Sequence, residues 1–279
     1  MLHLKKGDTI ALVANSNPQT NPKEIAQLCT LLQTLDLKVA VSPLLFDSAT
    51  TNSEAKAQLL QTYFADPVIK MIFDISGGNR ANSILPFLDY HKLAQTPKPF
   101  FGYSDLTAVL NTLVSNGQPA ELFQLKTLLW DQTGQQLEKF RRTFFEQAND
   151  LYESDWRFIQ GTNMSGTVVG GNIRCFLKLA GTPYLPDLTD KILFLESFGG
   201  NLDALFSMFH HLRQLPNFSK LNGILLGTFT DYQKAATYPL EQLLQDVLQS
   251  ELPLAKTEQI GHGKTSNALT LGKVLTVTA

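Results

Sequence analysis

A hydroxyl, a carboxylate and an imidazole in this chain have the types and settings needed for nucleophilic catalysis. Ser104 follows a short apolar run, residues 99–103, and precedes a helical pattern at residues 105–114. A serine at a strand-to-helix turn lies beside helix N-terminal amides, which can stabilise the oxyanion formed when the hydroxyl attacks a carbonyl. The alternative is an ordinary N-cap, in which the side chain only satisfies the first amides of the helix. This segment by itself favours the N-cap.

Glu196 and His262 are the candidate acid and base. Glu196 ends the apolar run 192–195, and burying a carboxylate there is unfavourable unless it has a partner. The alternative is a carboxylate that reaches solvent at the strand end. His262 lies between Gly261 and Gly263, although a single loop histidine is more often structural than catalytic. The order of Ser104, Glu196 and His262 in the sequence does not by itself establish a catalytic triad, because a triad is defined by the geometry and roles of its members.

Two glycine-containing turns are candidate ligand contacts. Gly77 and Gly78, followed by Asn79, come after the predicted strand 68–75, and glycines let backbone amides approach a ligand closely. The segment matches neither a dinucleotide-binding fingerprint nor a Walker loop, and a glycine pair that only ends a strand explains it equally well. Residues 170–172 precede a helical pattern and form either an anion site at its amides or a tight turn.

Composition limits the class of partner. The chain has 279 residues, of which 43% are hydrophobic, and a net charge of −2 from 23 basic and 25 acidic residues. No block of like charge favours nucleic acid or an anionic membrane. Cys29 and Cys175 are too few for a disulfide framework, and no metal-binding motif is present. The apolar run 9–14 is too short for a signal peptide, so we expect a soluble cytoplasmic protein.

Alternating periodicities in the first half position these residues. Strands are predicted at 9–14, 38–41, 68–75 and 99–103, and helices at 22–35, 53–64, 82–88 and 105–114. Such alternation predicts a parallel sheet covered on both faces, with ligands beyond the carboxyl ends of the strands. Gly77, Gly78 and Ser104 all follow such ends, so we expect them to share a crevice.

The second half predicts another α/β unit. Residues 121–160 are interpreted as a connecting segment with a charged helix at 135–148, between a first domain (1–120) and a second (161–279). Strands at 167–169, 192–195 and 224–226 alternate with helices at 172–180, 201–212 and 240–249. Residues 268–271 and 273–277 are predicted to form a hairpin through Gly272. Ser104 would then come from the first domain, and Glu196 and His262 from the second.

A set of motifs, in a fixed order, covers nearly the whole chain. They are Gly7-Asp8-Thr9-Ile10-Ala11; Gly77-Gly78 with Asn82 and Leu85-Pro86-Phe87-Leu88-Asp89-Tyr90; Gly102-Tyr103-Ser104-Asp105-Leu106-Thr107; Gly170-Gly171-Asn172; Gly181-Thr182-Pro183-Tyr184; residues 192–196; and Gly261-His262 with Leu271-Gly272. In these motifs the chain resembles the serine peptidase family that contains the LD-carboxypeptidases and the microcin C self-immunity proteins. The segment from Gly77 to Tyr90 is more similar to the microcin-immunity branch.

The resemblance implies a role for each matching residue. Ser104 would be the nucleophile, His262 the general base and then the general acid, and Glu196 the group that orients the imidazole. The amide of Asp105 would be one oxyanion donor. The shared crevice suggests the amide of Gly78 as the second donor, with Gly77 and Asn79 as substrate-binding residues.

The resemblance also implies a fold and a set of partners. The fold would be α/β, with an N-terminal parallel-sheet, Rossmann-like domain and a C-terminal mixed domain with a β-rich core. A homodimer without metal or cofactor is expected. The substrate would be a small peptide or an aminoacyl or peptidyl nucleotide conjugate, or else an LD-tetrapeptide from the cell wall. A non-catalytic binding protein, or a phosphate-binding enzyme using Gly77 and Gly78, is the alternative.

The chain departs from the family pattern in three places. Residues 117–124 replace an aromatic residue or histidine followed by Gly-Pro, residues 197–200 replace a polar stretch, and Gly263 follows His262 where threonine is common. The first of these segments would line the substrate cleft. We therefore expect the catalytic residues to persist while the specificity determinants differ.

Overall fold

The computed structural model describes residues 3–235, 238–249 and 251–279, in which strands and helices alternate along most of the chain. The strands are β1 (Thr9–Val13), β2 (Lys38–Val41), β3 (Ile69–Asp74), β4 (Phe100–Gly102), β5 (Ala120–Leu122), β6 (Arg157–Gln160), β7 (Asn163–Asn172), β8 (Lys191–Ser197), β9 (Gly223–Phe229), β10 (Leu254–Lys256), β11 (Leu269–Leu271) and β12 (Val274–Thr278). The α-helices are α1 (Pro22–Gln33), α2 (Ser53–Ala65), α3 (Tyr90–Gln95), α4 (Thr107–Ser115), α5 (Thr127–Trp130), α6 (Gln135–Glu146), α7 (Ile173–Leu177), α8 (Leu202–Arg213), α9 (Thr230–Ala235) and α10 (Leu240–Leu248). Short 3₁₀ helices span Ala81–Phe87, Ser104–Leu106 and Phe218–Lys220.

Two six-stranded sheets form the framework. The first has the order β11-β5-β4-β3-β1-β2 and is parallel except for β11. The second has the order β12-β7-β8-β9-β10-β6, with a parallel centre and antiparallel edge strands β12 and β6. The predicted α/β fold with two sheet-containing units is therefore confirmed.

Aromatic side chains pack helix α6 against one face of the first sheet. The rings of Phe73 and Phe101, on neighbouring strands, stack with centroids 4.3 Å apart. Phe140 and Phe144 of α6 pack against them at 6.1 and 5.7 Å. Helix α6, predicted as part of a connecting segment, thus contributes its apolar face to the core of the first sheet.

The predicted C-terminal hairpin is wrong. Strand β11 pairs antiparallel with β5 in the first sheet, whereas β12 pairs antiparallel with β7 in the second. Gly272 lies between them with φ +80°, and its amide donates to the carbonyl of Val168. A left-handed glycine suits this abrupt change of direction, and alternation along each strand does not specify the partner strand.

Helix α4 ties the two sheets together. The side-chain amide of Asn111 donates to the carbonyl of Gly170 at 2.7 Å and accepts from its amide at 2.8 Å. The Thr107 hydroxyl accepts from the amide of Asn172. A Cβ at Gly171 would lie 2.6 Å from that hydroxyl oxygen, so these glycines permit a close approach of strand and helix. Residues 170–172 therefore fix the helix that follows Ser104.

Candidate active site

Ser104 occupies a strained turn between β4 and α4. Its φ is +53°, in the left-handed region that non-glycine residues rarely adopt and that costs of order 1–3 kcal/mol. The preceding residue, Tyr103, is extended with φ −151°, and the 3₁₀ turn begins at Ser104 itself. The chain therefore reverses sharply at the serine, as it does in a nucleophile elbow.

A short contact joins His262 to Glu196. The imidazole Nδ1 lies 2.6 Å from Oε2 of Glu196, whose side chain is completely buried. The other carboxylate oxygen, Oε1, accepts from the side-chain amide of Asn172 at 3.1 Å. With Nδ1 held by the carboxylate, Nε2 is the ring nitrogen left to exchange a proton with another group.

The Tyr103 hydroxyl lies beside both members of this pair. It donates to Oε2 of Glu196 at 3.2 Å and lies 3.1 Å from Nδ1 of His262. Burial, followed by the charge of Glu196 and the hydrogen bond to it, raises the pKa of Tyr103 well above its usual value. The phenol therefore stays protonated and acts as a neutral donor that limits the positions open to the carboxylate.

Tyr103 and Asn172 lie within the motifs, but the sequence does not indicate a role for either side chain. Asn172 caps α7 by accepting from the amide of Cys175 and also contacts Glu196 across the sheet. The adjacency of Tyr103 to Ser104 was the one local signal available. The contact of Asn172 with Glu196 follows from the parallel register of β7 and β8, which no local pattern specifies.

One cleft, with a volume of about 530 Å³, brings most of the predicted site residues together. Its lining includes Ser104, His262, Gly78 and Asn79. Gly77 lies just behind, since a Cβ built on it would be 3.9 Å from Oγ of Ser104. The crevice expected at the carboxyl ends of the strands is therefore present.

The Gly78 turn has a conformation that only glycine accommodates. Its φ is +124°, and a Cβ there would lie 2.3 Å from Cγ of Asn17. The same Asn17 side chain accepts from the amide of Asn79 at 3.1 Å. The guanidinium of Arg174 donates to the carbonyl of Gly78 and to Oδ1 of Asn79, which places a positive charge at the cleft wall.

The buried carboxylate of Asp105 anchors the loops around Ser104. It accepts from the hydroxyl of Ser16 at 2.6 Å and from the amide of Ala81 at 2.8 Å, and it forms an ion pair with Lys178. The ammonium of Lys178 also donates to the carbonyl of Asn79. The side chain of Asp105 is thus occupied in structure, and only its backbone amide is a candidate for contact with substrate.

The described residues contain neither a cluster suited to a metal ion nor a helix suited to span a membrane. In residues 3–235, 238–249 and 251–279, no cluster of three or more His, Cys, Asp or Glu side chains is arranged to hold a metal ion. Over the same ranges, no helix combines the length and apolarity needed to cross a bilayer.

Comparisons with known proteins extend over most of the chain. Residues 10–122 match the model of the LD-carboxypeptidase N-terminal domain, and residues 165–277 match that of the LD-carboxypeptidase C-terminal domain. The microcin C7 self-immunity protein MccF of Escherichia coli is 25% identical over 315 residues, which cover 98% of this chain and 91% of that protein. The murein tetrapeptide carboxypeptidase of Pseudomonas aeruginosa is 27% identical over 233 residues, which cover 79% of this chain and 76% of that protein.

A solved structure of MccF, in complex with glutamyl sulfamoyl guanosine, has the same fold. It superposes with a TM-score of 0.85 at 22% sequence identity, covering 100% of this chain and 98% of that one. The two matched regions include Ser104 in the first and both Glu196 and His262 in the second.

Proposed function

This chain belongs to the LD-carboxypeptidase family, and from that premise we propose that it is a serine peptidase acting through Ser104, His262 and Glu196. Its substrate would be an amide in a small peptide or in an aminoacyl or peptidyl nucleotide conjugate. The observation that carries the proposal is that the strained Ser104 lines the same cleft as His262, whose Nδ1 is held 2.6 Å from a buried carboxylate.

The proposed reaction proceeds in two steps. The Ser104 oxygen attacks the amide carbonyl while Nε2 of His262 takes its proton, and Glu196 stabilises the imidazolium that forms. The backbone amides of Gly78 and Asp105 would donate to the developing oxyanion. His262 then returns the proton to the leaving amine. In the second step, a water activated by the imidazole hydrolyses the acyl-enzyme and releases the acid.

Charge and shape at the cleft support an anionic substrate with an apolar part. Arg174 supplies a cation suited to a carboxylate or a phosphate-like group. Phe198 lines the same cleft, is exposed, and has its ring centroid 5.1 Å from that of His262. An exposed aromatic ring at a cleft can pack against a nucleobase or an aliphatic side chain, so the aminoacyl nucleotide conjugate is the substrate class we favour.

A muropeptide carboxypeptidase activity is the second candidate. The free terminal carboxylate of a tetrapeptide would meet the same guanidinium of Arg174. The relative from Pseudomonas aeruginosa is named for that activity, and both candidates use the same three catalytic residues.

Mass spectrometry of two incubations would test the proposal. Wild type, Ser104→Ala and a matched control, Ser165→Ala, are each incubated with an aminoacyl-sulfamoyl adenosine and with an LD-tetrapeptide. Ser165 is an exposed strand residue paired with Thr276, so its replacement should leave turnover unchanged. Loss of the nucleophile should lower turnover by roughly 10³- to 10⁶-fold. Substrate binding, measured by calorimetry, should be retained.

The pattern of cleavage separates the candidates. Cleavage of the nucleoside conjugate alone would support an immunity-type hydrolase, and cleavage of the tetrapeptide alone a cell-wall carboxypeptidase. If both compounds bind and neither is cut, the protein is a binding protein on this scaffold. Full turnover by Ser104→Ala would refute the proposed nucleophile.

A further inference from the structure

A second cavity lies at the end of the first sheet opposite Ser104. It has a volume of about 500 Å³ and is lined by residues 97–99, which precede β4, and by Gln118 and Pro119, which precede β5. Ser104 follows the carboxyl end of β4, so a strand separates the two sites. No residue that lines this edge cavity also lines the catalytic cleft. Its volume is in the range of small-molecule sites.

The carboxylate of Glu121 is buried at this edge cavity without a cation. It is 6% exposed, and the hydroxyl of Thr270, its partner across β5 and β11, donates to Oε2 at 2.8 Å. In the part of the chain that the structure describes, no basic nitrogen lies within 4.0 Å of it. Burial raises the pKa of Glu121. Hydrogen bonds from Thr270 and Tyr152 and the more distant charge of Lys273 favour the ionised carboxylate, but no cation contacts it to compensate for the buried charge.

One further polar group at the edge cavity has no hydrogen-bond partner. Nε2 of Gln118, a residue only 6% exposed, is buried and unpaired, whereas the hydroxyl of Tyr152 is hydrogen-bonded to Glu121. Burial, followed by the charge of Glu121 and the hydrogen bond to it, raises the pKa of Tyr152 well above its usual value, so the phenol stays protonated and donates to the carboxylate. Buried polar groups in native proteins are nearly always paired, and an unpaired donor beside a buried carboxylate that no cation contacts indicates an absent ligand.

We propose that the edge cavity binds an amino-acid-sized ligand that carries an ammonium group next to a carbonyl or carboxylate oxygen. The ammonium would face Glu121 and supply the missing positive charge. The oxygen would accept from Nε2 of Gln118. Pro97, Pro99 and Pro119 form apolar walls against which a short aliphatic side chain packs.

The charged groups at the mouth of the edge cavity are compatible with binding of this ligand. Lys273 is exposed and lines the cavity, where its charge would attract a carboxylate end. The ammonium of Lys98 is already bound to the carbonyls of Tyr63 and Asp66, so it does not compete for Glu121. A phosphate or dicarboxylate is disfavoured, because it would meet the Glu121 carboxylate at like charge.

Titration calorimetry with two matched compounds tests the proposal. Alaninamide carries the ammonium, and N-acetylalaninamide keeps the carbonyl groups but lacks the charge. The wild type should bind alaninamide and not its acetylated counterpart. Glu121→Gln keeps the side-chain volume and should weaken alaninamide binding by roughly 10- to 100-fold, because a hydrogen bond to a charged group is lost. Gln118→Met, which removes only the amide, should weaken binding several-fold.

A variant of the catalytic cleft tests whether alaninamide binds at the edge cavity and not at that cleft. His262→Ala alters the catalytic cleft and should bind alaninamide as the wild type does. Unchanged binding by both Glu121→Gln and Gln118→Met would overturn the proposal. So would loss of binding in His262→Ala, or no binding by the wild type up to about 10 mM ligand, the limit of a weak site.

Discussion

Replacing Asp105 by asparagine tests whether its buried carboxylate organises the loops around Ser104. The substitution keeps the shape but removes the charge that Lys178 pairs with. It also replaces one carboxylate oxygen by an amide nitrogen: either Oδ1, which faces Lys178, or Oδ2, which accepts from both Ser16 and Ala81. Whichever way the asparagine amide turns, an N–H faces another donor. The side chain of Lys178 is only 19% exposed, so its ammonium would be left with the carbonyl of Asn79 as acceptor.

The structure gives the expected size of the effect. Breaking a buried ion pair by removing one partner costs about 3–5 kcal/mol, so the free energy of unfolding in urea, followed by circular dichroism, should fall by that amount. The bonds that are lost hold the Ser16 and Ala81 segments on either side of Gly78. A displacement of the order of 1 Å at the proposed oxyanion donors should lower kcat roughly 100-fold.

A double-mutant cycle supplies the control. Lys178→Met removes the cation alone, and the combination with Asp105→Asn removes the stranded charge as well. The double variant should be more stable than the sum of the single effects predicts, by roughly 1–3 kcal/mol. Additive free energies, or an Asp105→Asn protein within about 1 kcal/mol of the wild type and fully active, would refute the reasoning.

Two other sites give further predictions. Burial raises the pKa of Asp74 from 3.8 to about 6, so between these pH values the folded state holds a proton that the unfolded state has released, and stability falls as pH rises. The free energy of unfolding of the wild type relative to Asp74→Asn should therefore decrease by roughly 3 kcal/mol from pH 3 to pH 7 in urea titrations; a difference that does not change with pH would contradict this. Gly78→Ala should displace Asn17, because the new Cβ would lie 2.3 Å from its Cγ, and should lower kcat by roughly 100-fold. The left-handed φ of +124° should also lower the free energy of unfolding by about 1–3 kcal/mol. Wild-type turnover in a variant destabilised in this way would contradict the role of the Gly78 amide as an oxyanion donor.

Local periodicity was sufficient to predict most of the individual elements. The helix predicted at 22–35 is observed as α1 (Pro22–Gln33), and the strand predicted at 68–75 as β3 (Ile69–Asp74). Their apolar spacing is a property of the segment itself, so it can be recognised without knowledge of the rest of the chain. Strand β5 (Ala120–Leu122) was not predicted, because it is only three residues long and carries a buried Glu121 that interrupts its apolar pattern.

Contacts between distant segments could not be predicted in this way. The residues themselves suggested only an acid and a base, and it is the family resemblance that implied contact between Glu196 and His262, whose atoms lie 2.6 Å apart. Neither indicated the hydroxyl of Tyr103 that lies beside both. The contacts of Tyr103, which follows a strand of the first sheet, depend on how the two sheets pack against each other. The same holds for β11, whose partner strand is set by the path of the chain through Gly272.

The position of β11 has a consequence for how the protein is made. The first sheet receives its last strand from residues 269–271, almost the whole length of the chain after β1. During synthesis on the ribosome, β5 therefore keeps an unpaired edge until the second sheet has been translated, and such edges pair readily with other chains. A fragment restricted to residues 10–122 would retain that edge permanently. Production of the N-terminal region alone should thus favour aggregation, and co-expression with the C-terminal region should relieve it.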